Sequence, residues 1–136
     1  MFSCSQNETK MIQEGRIACM SCPRHDPHPY AVKGKLVLTS KYVGPGGKET
    51  PFATATITSL RPTTVGEMRR DKEACKLDGW PNGAAWVGHL RQKYPGLRDD
   101  DRLLQIQFRI TEMDKDVASR MRTVQAPPEP ERIEVG

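Results

Sequence analysis

The 136-residue sequence lacks any apolar run near the ~18–20 residues that a membrane-spanning helix requires, so a helical membrane protein is not expected. The first residues, Met1 to Glu8, have no basic region leading into an apolar stretch. No secretory signal is expected there, and the expected location is cytoplasmic. Aromatics are scarce, at 6% of residues, so each ring is expected first as core packing and only then as a stacking platform. Cysteines number four, which without a signal sequence predicts reduced thiols rather than a disulfide framework. No internal repeat is present. A strong excess of one charge is also missing. Twenty-one Lys and Arg against seventeen Asp and Glu leave +4, which permits a polyanionic partner without demanding one.

The length suits a single domain, and a chain this size buries roughly 65–70% of the surface its unfolded form exposes. Charged residues make up 28% and both signs are interspersed, as in a globular protein. The densest charge run holds Arg61, Arg69, Arg70, Lys72 and Lys76, offset by Glu67, Asp71, Glu73 and Asp78. Its ordinary reading is a solvated helix face.

Local signals place most elements. Ser5-Gln6-Asn7-Glu8 reads as a capping box opening a helix to about Glu14, with Gly15 as its stop. Arg16 to Cys22 reads as extended, and Pro23 to Pro29 as a proline-rich loop. A strand is expected over Lys35 to Tyr42 and another over Phe52 to Leu60, bounded by Pro51 and Pro62. Thr64 and Glu67 suggest a second capping box and one helix to about Leu77. Asn82 can cap a helix to about Tyr94, with Ala85, Trp86 and Leu90 facing the core. Leu104, Ile106, Phe108 and Ile110 alternate with Gln105, Gln107 and Arg109, which predicts a half-buried strand with the second set facing water or a ligand. Thr111 to Arg122 is expected as a last helix, and Gln125 to Gly136 as a disordered tail. This order of elements disfavours a doubly wound parallel sheet and favours an α+β fold, a mixed or antiparallel sheet curled into a small barrel with packed helices.

Cys19 and Cys22 are followed by His25 and His28 at a regular spacing of three. Thiolate and imidazole are zinc ligands, and four would close a tetrahedral site. The spacing is tighter than usual for zinc, and Pro23, Pro27 and Pro29 stiffen the stretch. A zinc site and idle thiols beside loop histidines both remain open on sequence grounds. No other cofactor is expected.

Four landmarks together resemble a known family. Phe2-Ser3, a short helix and Glu14-Gly15-Arg16 resemble the opening of ASCH domains, which share the PUA-like pseudo-barrel. Val32-Lys33-Gly34-Lys35-Leu36 is similar to the family's approach to its next strand. Ala55 to Pro62 followed by Thr64 and Glu67 is similar to its strand-to-helix passage. Asp78-Gly79-Trp80, a helix, Tyr94-Pro95-Gly96-Leu97 and Leu104 to Phe108 are similar to its closing pattern. The resemblance spans Phe2 to Ile110 and sets an expected domain at 1–112, with 113–136 as C-terminal helix and tail.

The resemblance implies a basic cleft that holds RNA or a modified nucleotide. Some ASCH proteins are enzymes, one branch hydrolysing an acetylated cytidine and another described as a ribonuclease. Here the family's motif lysine falls on Ile17, its threonine on Met20 and its closing arginine near Cys22. The amidohydrolase acid falls near Asp78, a weak candidate for catalysis. Neither Ile17 nor Met20 can move a proton, so the expectation leans to a non-catalytic nucleic-acid-binding module. Its expected contacts are Arg16, Arg24, Lys33, Lys35, Lys41, Arg61 and Trp80, the cations on phosphate and the indole at the cleft. The alternatives are an ASCH-type amidohydrolase or ribonuclease, and a zinc-stiffened protein-interaction domain. Oligomeric state is not legible.

Overall fold

The computed structural model describes residues 2–43 and 45–114. Strand β1 is Phe2–Ser3, helix α1 Gln6–Gln13, β2 Cys19–Pro23, β3 Lys35–Ser40 and β4 Thr50–Thr64. Helices α2 (Val65–Arg69), α3 (Lys72–Leu77) and α4 (Gly83–Lys93) follow, and β5 is Arg102–Met113. The five strands form one sheet in the order β1-β3-β4-β5-β2. Among the described residues only β1 and β3 run parallel, and every other neighbouring pair is antiparallel. Register shifts interrupt β4 between Thr54 and Ala55 and between Ile57 and Ser59. Such bulges bend a strand and add twist, and the sheet curls into an open half-barrel, as the α+β pseudo-barrel expectation requires.

The sheet is buried on both sides of β5. Leu104, Ile106 and Phe108 join Met20, Cys22, Leu36, Leu38, Ala55 and Ile57 in one core, which α1 closes with Met11 and Ile12. Leu103, on the opposite face, joins Val65, Met68, Ala74, Cys75, Trp86 and Leu90 from the three later helices. This corrects one expectation. Gln105 shares the face of Leu103 and is buried, because α2 to α4 cover a face that an alternating pattern assigns to water.

Three element boundaries also differ. The strand expected to stop at Pro51 and Pro62 runs through both, from Thr50 to Thr64. Pro51 lies where β4 pairs with β3 but not yet with β5, and Pro62 where β4 pairs with β5 but no longer with β3. Each proline thus sits on a one-sided stretch, where its missing N–H breaks no ladder. The single helix expected from Thr64 to Leu77 is two, because Asp71 accepts the Ala74 amide at 3.1 Å and starts a new N-terminus. Thr111 to Met113 continue β5 rather than beginning a helix. The rest of that expected helix and the tail lie outside the described residues, as does most of the 113–136 segment.

The helix starts expected at Ser5 and Asn82 form in full and the one at Thr64 in half: Thr64 Oγ1 accepts the Glu67 amide at 3.2 Å, but the Glu67 carboxylate accepts from the Thr63 and Thr64 hydroxyls and does not close a capping box. Ser5 Oγ accepts the Glu8 amide and Glu8 accepts the Ser5 amide, a complete capping box. Gly15 ends α1 at a φ of 71°, a left-handed conformation that glycine adopts without cost. Asn82 caps α4 by accepting the Ala85 amide at 2.9 Å.

Candidate functional site

A cleft of about 430 Å³ opens where the N-terminus of α1 meets the C-terminal half of α4. Its volume lies in the range of small-molecule sites. Ser3, Cys4 and Ser5 line it from the β1–α1 turn, and Gln6 and Asn7 from the first turn of α1. Lys41 and Tyr42 enter from the segment after β3, and Glu49 from just before β4. His89, Gln92 and Lys93 come from α4, where i, i+3 and i+4 spacing puts them on one face.

The cleft is polar and internally wired. Glu49 Oε1 accepts from Ser3 Oγ at 3.0 Å and from Thr39 Oγ1 at 2.7 Å. Ser5 Oγ lies 2.9 Å from His89 Nε2. The His89 ring stacks on Trp80, with centroids 4.6 Å apart. Burial holds the His89 pKa below the usual histidine value, with Lys93 acting in the same direction and Glu8 and Asp78 opposing. The Lys93 ammonium donates to Glu8 at 2.7 Å and sits 4.5 Å from the centroid of the Phe2 ring. Lys41 stays at the rim, over the Tyr42 ring at 5.4 Å.

A second polar cluster is wholly internal. Asp78 Oδ2 accepts from Ser21 Oγ at 2.6 Å and from the Trp86 indole N–H at 2.9 Å. Its Oδ1 accepts from Gln105 Nε2 at 3.1 Å, and that amide also donates to the Ala74 carbonyl at 3.0 Å. Three donors satisfy a buried carboxylate and bind α3, α4, β2 and β5 together. The Cys19 thiol beside it is pushed up by burial and then by the Asp78 charge and hydrogen bond.

The expected contact residues are spread over several faces. Lys35 and Lys41 flank opposite ends of β3, about 20 Å apart at strand rise. Exposed Lys33 occupies the turn before β3, its amide donating to the Ile57 carbonyl at 2.8 Å. Arg16 is exposed, paired with Glu14 at 3.1 Å, and borders a groove with Ile17, Ala18, Lys76, Leu77 and Phe108. Arg61 pairs with Asp71 at 3.2 Å beside the same Lys76 and Leu77. Arg24 follows β2 with Nη1 3.8 Å from Asp26, a carboxylate that Arg102 also contacts, and its Nε is buried without a partner. Trp80 stacks on His89, which lines the main cleft. Of the seven, Lys41 alone lines that cleft.

The Cys-His run does not converge. Cys22 sits in the α1-side core, whereas Cys19 lies against Asp78 and Gln105 on the other face of the sheet. Positions three apart on a strand face opposite ways, so a C-x2-C pair in β2 cannot close on one ion. His25 is exposed, and His28 stacks on Tyr30 with centroids 6.1 Å apart. Among the described residues no group of three or more His, Cys, Asp and Glu is placed to hold a metal.

No protein-family model matches the chain, and no curated protein matches its sequence. Solved structures do match. EF3133 from Enterococcus faecalis V583, of the DUF984 family, aligns over 83% of this chain and 72% of its own at a TM-score of 0.61 and 10% identity. The hypothetical protein PH0355 aligns over 80% and 95% at 0.57 and 15%. ASCH from Zymomonas mobilis aligns over 94% and 81% at 0.54 and 14%. The chain has an ASCH-type fold.

Within this ASCH-type fold, the positions where the family motif was expected are core. Ile17, Met20 and Cys22 are all buried in the α1-side cluster. Met20 Sδ lies 4.0 Å from Cys4 Sγ, directly behind the cleft wall. Gly79, at a φ of 97°, lets Ile17 and Met11 close in; a Cβ there would stand 2.7 Å from Ile17 Cγ2. Space that a lysine and a threonine would polarise is filled by apolar side chains. Ser5, His89, Glu49 and Lys93 escape sequence reading as site residues. The capping box marks Ser5 and the helical spacing groups His89 with Lys93, but nothing local brings the two helices together.

Proposed function

We propose that the chain is a nucleic-acid- or nucleotide-binding module that uses the cleft between α1, α4 and the segment after β3. The observation that carries this reading is the set of groups converging on that cleft. Lys41 supplies a rim cation, Tyr42 and His89 supply rings, and Ser3, Ser5 and Glu49 supply hydroxyls and an acceptor. Phosphate suits the first, a base the second, and base or sugar edges the third. The ASCH-type fold supports the reading, because the resemblance to that family implies a cleft that holds RNA or a modified nucleotide.

An amide hydrolysis of the kind found in some ASCH proteins has little to work with here. Ile17 and Met20 offer no proton-transfer group, and Asp78 is committed to Ser21, Trp86 and Gln105. Lys33, Lys35, Arg16, Arg24 and Arg61 lie outside the cleft. An extended single strand, rather than a mononucleotide, would be needed to reach from Lys41 to Lys35.

The test is fluorescence anisotropy with labelled single-stranded RNA, single-stranded DNA and duplex DNA at two salt concentrations, with unlabelled mononucleotides as competitors. Salt-sensitive binding is expected for at least one single strand. Lys41→Glu should weaken it and reduce the salt slope by about 1. Lys35→Glu should weaken binding of a long strand and leave mononucleotide competition unchanged. Absence of binding to every probe would overturn the reading.

A further inference from the structure

We propose that Ser5 and His89 form a nucleophile and base pair, and that the cleft they share hydrolyses a small carboxylic ester through an acyl-Ser5 intermediate. The inference rests on the cleft being a ligand site, but not on that ligand being a nucleotide.

Ser5 Oγ and His89 Nε2 stand 2.9 Å apart across 84 residues of sequence, and both side chains line the cleft. The same Oγ accepts the Glu8 amide at 3.2 Å. Capping α1 accounts for the amide contact and leaves the imidazole contact unexplained. A hydroxyl that accepts the Glu8 amide still has its own hydrogen to donate, and in the tautomer with the ring proton on Nδ1 that hydrogen points at Nε2. A hydroxyl placed this way can lose its proton to the ring while the helix N-terminus stabilises the charge left on oxygen. The Trp80 ring stacked at 4.6 Å fixes the plane of the imidazole. Burial favours the neutral ring, the form that can accept a proton. Gln6 and Asn7 occupy the first two helical positions of α1, whose amides have no partner within the helix. Both residues line the cleft, so these amides are candidate donors to a developing oxyanion.

The chemistry balances without a cofactor. Ser5 Oγ attacks the ester carbonyl carbon as its proton passes to His89 Nε2. The tetrahedral adduct breaks its bond to the alcohol oxygen, and the alcohol leaves with that proton. Water then attacks the acyl-Ser5, giving a proton to His89. Release of the carboxylic acid returns the proton to Ser5 Oγ. Ester and water become acid and alcohol, with no change of oxidation state. Lys41 at the rim favours esters that carry a negative group.

The experiment treats the purified full chain with a fluorophosphonate probe and follows p-nitrophenol release from p-nitrophenyl acetate. The expected result is one adduct, mapped to Ser5 by peptide mass spectrometry. His89→Gln should slow labelling by about a hundredfold or more. Ser5→Asn keeps a capping acceptor while removing the nucleophile, and should abolish both readouts with the fold intact by circular dichroism. No adduct on Ser5 in the folded protein would overturn the proposal. So would Ser5 labelling undiminished by His89→Gln, or ester cleavage undiminished by Ser5→Asn. Labelling without nucleic-acid binding would remove the binding reading alone, and binding without labelling would remove this one alone.

Discussion

Glu8 and Lys93 form an ion pair at 2.7 Å across 85 residues, with side chains only 6% and 12% exposed. Glu8 lies in the first turn of α1 and Lys93 in the last turn of α4, so each charge complements its own helix dipole while it meets the other. The pair joins two helix ends beside the cleft, which Lys93 lines. Breaking a buried pair by removing one partner typically costs about 3–5 kcal/mol, and the residual exposure here places the expectation at the lower end. Lys93→Met should therefore lower the unfolding free energy by about 3 kcal/mol in urea denaturation. The double variant Glu8→Gln with Lys93→Met should recover part of that loss, since no charge is then left buried alone.

Asp78 is expected to matter more for stability than for chemistry. Ser21→Ala and Trp86→Phe each remove one donor from a buried carboxylate and should cost about 1–3 kcal/mol. Their effects should be non-additive, because the donors share one acceptor. Urea unfolding of the two single variants and the double measures this directly. Strict additivity would mean that the cluster does not act as a unit.

His89 sets an expected pH dependence. Its folded-state pKa lies below the ordinary value of 6.5, so between the two values the unfolded chain binds more protons than the folded one. Stability should fall as pH drops through about 6.5 and level off below the folded-state value. The groups that set the shift, besides burial, are Glu8, Lys93 and Asp78. His89→Gln should flatten this part of the profile. Urea midpoints measured between pH 5 and pH 8 provide the check, and a wild-type profile that His89→Gln leaves unchanged would contradict the assignment. The proposed Ser5 labelling should rise with pH across the same window.

All four thiols should resist modification in the folded state. Cys4, Cys19, Cys22 and Cys75 are buried, and burial is the leading cause of every raised pKa, to about 11 for Cys22 and Cys75. Thiolate is the reactive form, so almost none is available near neutrality. A disulfide reagent at pH 7.5 should titrate no thiol rapidly in buffer and all four in denaturant. Rapid reaction of Cys19 or Cys22 in buffer would show that β2 opens.

What sequence alone determines here is local. The Ser5 and Glu8 capping box, the Gly15 stop, the Asn82 cap and the alternation of Leu104, Ile106 and Phe108 depend on neighbours within a few residues, and their physics is complete at that range. The order of elements and the ASCH resemblance led to the right class of fold. The regular Cys19, Cys22, His25 and His28 spacing misled, because metal binding depends on side-chain direction and a strand sends its third neighbour to the opposite face.

Tertiary structure decided the rest. Gln105 is buried because three helices cover its face of the sheet, which no strand pattern reveals. Pro51 and Pro62 sit inside β4 because its two partners overlap over only part of its length. Ser5 with His89, and Glu8 with Lys93, meet because folding brings the start of α1 against the end of α4. Contacts over more than eighty residues follow from packing two cores on one sheet, and no local propensity encodes them.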